Sequence, residues 1–233
     1  MTSAASRALP RAVLSRSALE AAAAAAADAG GSCADLRRDA WGHGLSEVAA
    51  AVAAHGIRVL VDDEDAVRVL RRHDIAAVTS GEPDLDPFLL YGLPDERGML
   101  RTDPVMRLTG RVMSIKPLRA GEAVSYGYTF RAESDTTIAL VTGGYAQGIV
   151  RALGNRVEVQ AAGVKRPIVG RVAMDVCVVD LGDAPVEPGA EVTFFGGRGP
   201  VRGELARWGN ATGLTIPELV TVAGLRARRE WEA

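Results

Sequence analysis

Over the first 80 residues, apolar positions recur with two alternating periods. Arg11–Arg16 is a short run of strand character, and Ser17 is placed to cap a helix over Ala18–Ala29 that ends at Gly30-Gly31. Cys33–Arg38 reads as a strand and Trp41-Gly42-His43-Gly44 as a turn. Leu45–His55 carries Leu45, Val48, Ala49 and Val52 at helical spacing, with Gly56 as its stop. Ile57–Val61 is a compact strand-length run. Asp63–His73 is amphipathic, with Val67, Val69 and Leu70 apolar and Arg68, Arg71 and Arg72 outward; Ile75–Val78 is another short strand. Strand and helix alternating in this way predict βαβα units with parallel pairing.

The pattern changes at Ser80–Pro87, whose prolines and charges mark a linker. Phe88–Tyr91 is a brief apolar run before a polar turn over 94–98. From Val105 onward strands predominate: Val105–Ile115, Thr137–Thr142, Arg156–Gln160, Val164–Val169, Val172–Leu181 and Glu191–Phe195. Ala161-Ala162-Gly163 is placed as a hairpin loop. Glu204–Ala211 reads as a helix, and Ile216–Val222 either continues it or forms a final strand. The predicted class is α+β, with a small α/β segment over 1–94 followed by a β-rich, mostly antiparallel domain over 95–233.

Composition narrows the functions. A net charge of −2 gives no electrostatic case for nucleic acid or an anionic membrane. No stretch is long and apolar enough to span a bilayer, and the alanine run bracketed by Glu20 and Asp28 reads as a helix, not an export signal. Cys33 and Cys177 lack metal-ligand spacing, which fits a reducing, cytoplasmic setting, and His43, His55 and His73 form no zinc pattern. No metal site is expected, and each histidine is placed at the surface or a helix end. Lys116 and Lys165 are the only lysines in the chain and are placed on strand surfaces. That scarcity matters wherever an amine must act as a nucleophile, because a guanidinium cannot replace it.

Three blocks occur in a fixed order: Ser125-Tyr126-Gly127, Gly143-Gly144-Tyr145-Ala146-Gln147-Gly148 and Gly170-Arg171-Val172-Ala173-Met174-Asp175. Together they resemble the C-terminal domain of alanine racemases. Upstream, Arg37-Arg38-Asp39-Ala40-Trp41-Gly42-His43-Gly44 is similar to that family's Lys-Ala-Asn/Asp-Ala-Tyr-Gly-His-Gly motif, and Phe88–Leu93 resembles the segment that ends its barrel.

The resemblance implies a pyridoxal phosphate enzyme interconverting L- and D-alanine for the cell wall. Its N-terminal (β/α)₈ barrel would hold the cofactor, and its tyrosine would act across a dimer interface. By that match Tyr126 is the base for L-alanine, Met174 a substrate contact and Tyr145 a residue near the substrate entrance. A tyrosine base needs nearby positive charge, for which Arg119, Arg131 and Arg151 are the sequence candidates. Met174 also reads as gap-filling core.

Several positions depart from the family. Arg37 stands where the Schiff-base lysine falls and Trp41 at the tyrosine near the cofactor phosphate. Gln147 replaces an acid, and Thr215-Ile216-Pro217-Glu218-Leu219 lacks the second phosphate tyrosine. A barrel takes roughly 200 residues or more, so the first 94 residues are expected to be a small barrel remnant. Such a sheet has open edges, which predicts a homo- or hetero-oligomer. Two functions follow from the resemblance: a racemase-like chain without the amine for autonomous activity, or a non-catalytic binding or assembly protein derived from one.

Overall fold

The computed structural model describes residues 9–233. Strand β1 (Arg11–Ser15) runs without a loop into α1 (Arg16–Asp28). Ser15, not Ser17, is the cap, its Oγ accepting from Ala18 N at 3.2 Å. The helix starts earlier than expected because β1 is paired through Ser15, so the last strand residue is already extended, as a cap must be.

Next come β2 (Cys33–Asp35), a short turn α2 (Arg37–Trp41), α3 (Leu45–Ala53), β3 (Arg58–Leu60), α4 (Glu64–Arg71) and β4 (Ala77–Val78). The strands form a parallel sheet in the order β2-β3-β4, as the βαβα pattern predicts. Asp63 caps α4 by accepting from Ala66 N.

The proline-containing linker is ordered against this sheet. Asp84 N and Leu85 N both donate to Cys33 O at 3.1 Å. The Asp84 carboxylate accepts from Ser32 N, Ser32 Oγ and Cys33 N at 2.6–2.7 Å. The edge of β2 that faces away from β3 is therefore covered from within the chain. Helix α5 (Pro87–Leu90) follows, capped by Asp86.

The second part is built on the long strand β5 (Met106–Leu118). It is followed by β6 (Ala123–Val124), β7 (Phe130–Arg131), β8 (Thr136–Thr142), β9 (Glu158–Ala161), β10 (Val164–Pro167), β11 (Val176–Asp180), β12 (Glu191–Phe195), α6 (Glu204–Thr212), α7 (Ile216–Arg226) and β13 (Arg228–Glu232). An eight-stranded mixed sheet runs β10-β9-β12-β5-β1-β13, with β8 and β11 branching from the far half of β5. Its pairs are antiparallel except β1 with β13. The Ala162-Gly163 hairpin is present, with φ of 49° and 79° at the two turn residues.

Two elements differ from expectation. Residues from Ile216 form a separate helix, because Thr215 and Glu218 make a reciprocal capping box that starts it afresh. Strand β13 was not foreseen: Arg228, Arg229, Glu230 and Glu232 give it a charged pattern, and only pairing with β1 makes it a strand. The core is continuous across both parts. Phe194, Phe195 and Trp208 are fully buried, the last two meeting edge to face at 5.3 Å between centroids.

Candidate functional site

The three sequence blocks meet in space. Tyr126 sits in the loop between β6 and β7, where Ser125, Gly127 and Tyr128 all have positive φ. Ser125 Oγ donates to Arg171 O, anchoring this loop on the third block. The second block lies along the third by three amide bonds: Gly143 N to Asp175 O, Tyr145 N to Ala173 O and Ala146 N to Met174 O, at 2.8–2.9 Å. Gly144 is required here, since a Cβ would collide with the Ala173 and Met174 carbonyls. Gln147 is buried, accepts from Gly144 N and donates to Asp175 Oδ1 at 2.8 Å. An acid at 147 would set a second carboxylate against Asp175; the amide bonds to it.

These contacts push side chains outward. Tyr126 is 67% exposed, Tyr128 73% and Met174 54%. Met174 is therefore surface and not the gap-filling core that a methionine between strands suggests, because its block is held by backbone and its side chain is free. The guanidinium beside the Tyr126 loop is that of Arg171, next to Gly127. Arg119 pairs with Asp135, Arg131 donates to Gly121 O, and Arg151 lies in a cleft that Tyr126 does not line.

That cleft, of about 720 Å³, opens at the carboxyl ends of β2 and β3, where Asp35 and Asp62 stand. It is walled by α2, by residues 145–151 and by α7. Parallel strands commonly present ligand sites at this end. The α2 turn is left-handed over four non-glycine residues, Arg38, Asp39, Ala40 and Trp41, at φ of 53–57°. Such a conformation costs roughly 1–2 kcal/mol per residue and persists only where it is over-determined. Asp62 accepts from Arg38 N at 2.6 Å, Asp39 accepts from Leu45 N at 2.7 Å, and Arg229 of β13 pairs with the Asp39 carboxylate. Gly42 lets the turn press on α7, where a Cβ would come within 2.8 Å of Thr221 O.

Arg37 projects from the start of this turn into a fork-to-fork pair with Asp35, Nε to Oδ1 at 2.8 Å and Nη2 to Oδ2 at 2.7 Å. Burial raises the Asp35 pKa, but the Arg37 side chain and amide outweigh it and hold the carboxyl below its usual range. Arg38 makes only a looser ion pair with Asp62, Nε to Oδ1 at 3.7 Å, and its side chain is exposed. Glu218 is held ionised at the α7 N-terminus by the Thr215 amide and hydroxyl. Trp41 stacks on Tyr91 at 5.4 Å, and Tyr91 on His43 at 4.3 Å. His43 is fully buried, contrary to the surface or helix-end position expected for it, because the left-handed turn folds it back under Tyr91. His55 and His73 are exposed at helix ends, as expected.

Neither lysine lines the cleft. Lys116 is exposed on β5. Lys165 is half-buried instead of a plain surface residue, its Nζ bound to the buried Glu204 at 3.1 Å. Arg37, Trp41 and Tyr145 are thus brought together, while Tyr126 and Met174 stand outside. Sequence reasoning missed the part played by α7 (Leu219, Val222) and by Leu214 just before it, although the Thr215–Glu218 capping box was a readable sign of that helix.

Residues 105–231 match the family described as "Alanine racemase, C-terminal domain". An alanine racemase of Mycolicibacterium vanbaalenii is 40% identical over 155 residues, covering 65% of this chain and 39% of that protein. Relatives of this kind are matched over only 33% to 52% of their own length. Among solved structures, alanine racemase from Streptomyces lavendulae aligns over 97% of each chain with a TM-score of 0.80 at 20% identity. The enzyme from Bartonella henselae, described with covalently bound pyridoxal phosphate, aligns over 97% of this chain and 100% of its own with a TM-score of 0.73 at 18% identity. These two likenesses concern the α+β fold with its large mixed sheet.

Proposed function

The chain belongs to the alanine racemase family through its C-terminal domain, and from that premise we propose that it is a racemase-derived protein that does not racemise alanine on its own. The observation that carries this reading is the Arg37–Asp35 pair. Pyridoxal phosphate, the group implied by the family, acts as an electron sink once an enzyme amine has bound it covalently. The residues present do not fit it. The side chain at the mouth of β2 is a guanidinium satisfied by Asp35, the two lysines lie elsewhere, and the ionised Glu218 in the cleft lining would repel a phosphate.

We read β2 to β4 with α3 and α4 as a barrel remnant, and residues 95–233 as the family's β domain. The exposed Tyr126, Tyr128 and Met174 favour a second role, in trans. A tyrosine in a loop anchored on Arg171 and turned to solvent is suited to complete a site on a subunit with a whole barrel, in a hetero-oligomer. In that assembly Tyr126 would take the proton of L-alanine and Met174 and Tyr145 would border it, in a cytoplasmic setting.

The test is direct. The purified chain is mixed with pyridoxal phosphate, and aldimine absorbance, borohydride fixation and alanine racemisation are measured. Neither fixation nor turnover is expected, and turnover by the chain alone overturns the proposal. Mixing with a full-length relative whose own Ser-Tyr-Gly tyrosine has been changed to Phe tests the second role. Activity that appears only in the mixture, and is lost with Tyr126→Phe, supports action in trans.

A further inference from the structure

We propose that Asn155 is a positioning residue that fixes the direction of the Tyr126 side chain, by tying the far end of its loop to the third sequence block. What that direction serves rests on the reading above that Tyr126 completes a site in trans. An exposed side chain takes its direction from its backbone, and the loop between β6 and β7 has little of its own to hold it. Each flanking strand is two residues long. Ser125 and Tyr128 keep φ of 65° and 46°, which L side chains disfavour and abandon when released. The apolar support beneath is a small cluster around Leu118, Val124 and Ile138, separate from the main core. Ser125 Oγ ties only the near end, which leaves the loop free to pivot about Arg171.

Asn155 closes the other end. Its Oδ1 accepts from Gly170 N at 2.6 Å, so the opposite end of the amide is the NH2 group, which donates to Thr129 O and Thr129 Oγ1 at 3.3 Å each. The residue itself is fixed beside the β9-β10 hairpin, where Asn155 N donates to Ile168 O at 2.8 Å. Its φ of 62° is one that asparagine tolerates better than most residues with a side chain. The packing leaves no slack: a Cβ on Gly154 would collide with Gly170 O, and one on Gly170 with the Ser125 side chain. Gly170-Arg171 is thus gripped by Asn155 on one side and Ser125 on the other, and both grips lead to the Tyr126 loop. Thr129 and Asn155 are exposed, so the bonds between them compete with water and add little to overall stability. Selecting one loop geometry is the work they are suited to.

Three variants separate positioning from folding. Asn155→Asp keeps the acceptor for Gly170 N and loses the donor to Thr129. Asn155→Gly keeps the left-handed backbone and loses both. Thr129→Val removes one of the two acceptors without adding charge. The full chain is labelled with 3-fluorotyrosine, and Tyr126→Phe identifies the Tyr126 fluorine resonance. In Asn155→Asp that resonance should shift and broaden, while the resonance of the buried Tyr91 and the thermal midpoint stay as in the parent chain. Thr129→Val should give a smaller change of the same kind, and Asn155→Gly a full change with a lowered midpoint, because Gly170 N loses its partner. In the mixture with the full-length relative carrying Phe for its own tyrosine, Asn155→Asp should lower kcat about 2–10-fold, as loss of one net hydrogen bond does. KM for alanine and the chain concentration giving half-maximal activity should not move. An unchanged Tyr126 resonance in Asn155→Asp, an unchanged kcat in that mixture, or losses that follow the thermal midpoint across the variants overturns the proposal. If the mixture with the unaltered chain is inactive, the reading of Tyr126 in trans fails instead, and the fluorine resonance alone decides the role of Asn155.

Discussion

His43 shows how far a single side chain in this fold departs from its behaviour in water. Its Nδ1–H is shared between the carbonyls of Ala40 and Trp41 at 3.1 and 3.2 Å, and its Nε2 is buried without a partner. Burial pushes the imidazole down from 6.5 to about 4, against the two carbonyls, which favour the charged form. Between those values the unfolded chain binds the proton and the folded chain does not. Stability is therefore full above pH 6.5 and is lost as the pH falls toward 4, by up to about 3 kcal/mol. Urea unfolding at pH 7, 5 and 4 measures this, and His43→Phe, which keeps a ring against Tyr91, should flatten the profile over that window. A second buried group makes a different prediction. Glu204 is 2% exposed and is held by Lys165 Nζ, Arg207 Nε and Glu158 N. Lys165→Met should lower stability by about 1–3 kcal/mol, because the carboxylate stays behind with fewer partners. A double variant that also carries Glu204→Gln should recover part of the loss.

Among the elements, the linker does the work of a neighbouring strand. A short parallel sheet exposes donors and acceptors at its edges, and Asp84 satisfies those of Ser32 and Cys33 while its own amide takes the Cys33 carbonyl. The Ser32 hydroxyl first, and then the amides of Ser32 and Cys33, draw the Asp84 carboxyl from 3.8 to about 2. That contribution is present above the ordinary carboxyl range and fades only as pH falls toward 2. Asp84→Ala should speed amide exchange at Ser32 and Cys33 and make sedimentation concentration-dependent; unchanged exchange would count against an edge-sealing role. The segment's lack of regular structure was legible from its prolines, and its docking was not, because a single aspartate bonding to residues 51 and 52 positions away leaves no periodic trace. The parallel β2-β3-β4 unit was legible because its helices and strands differ in apolar period. The left-handed turn was hidden, since of Arg38, Asp39, Ala40 and Trp41 only the aspartate is of a type that visits positive φ readily. The clamp from Arg229, on a strand the apolar pattern did not reveal, helps hold them there. Likewise Arg37, Trp41 and Tyr145 could be picked out from motifs, whereas the cleft they share required the placement of α7.

At the scale of the whole molecule, β1 ties the two parts together. It lies between β5 and β13, so its backbone is paired on both sides through most of its length. Arg11 adds side-chain bonds to Glu191 and Glu230. A piece consisting of residues 95–233 alone would leave a strand-wide gap in the sheet, and we expect it to be insoluble or molten when expressed. Supplying residues 9–30 on the same polypeptide should restore a cooperative thermal transition; a folded, soluble 95–233 piece would show that β1 is dispensable. The same strand also constrains the order of events during synthesis. Arg11 leaves the ribosome 219 positions ahead of its partner Glu230. At translation rates of about 5–20 residues per second, β1 waits roughly 10–40 s with one hydrogen-bonding edge unmatched. During that interval the nascent chain resembles a substrate for holding chaperones more than a folding domain. Slowing elongation between the codons for β12 and β13 should therefore increase capture by such chaperones and lower the yield of native protein.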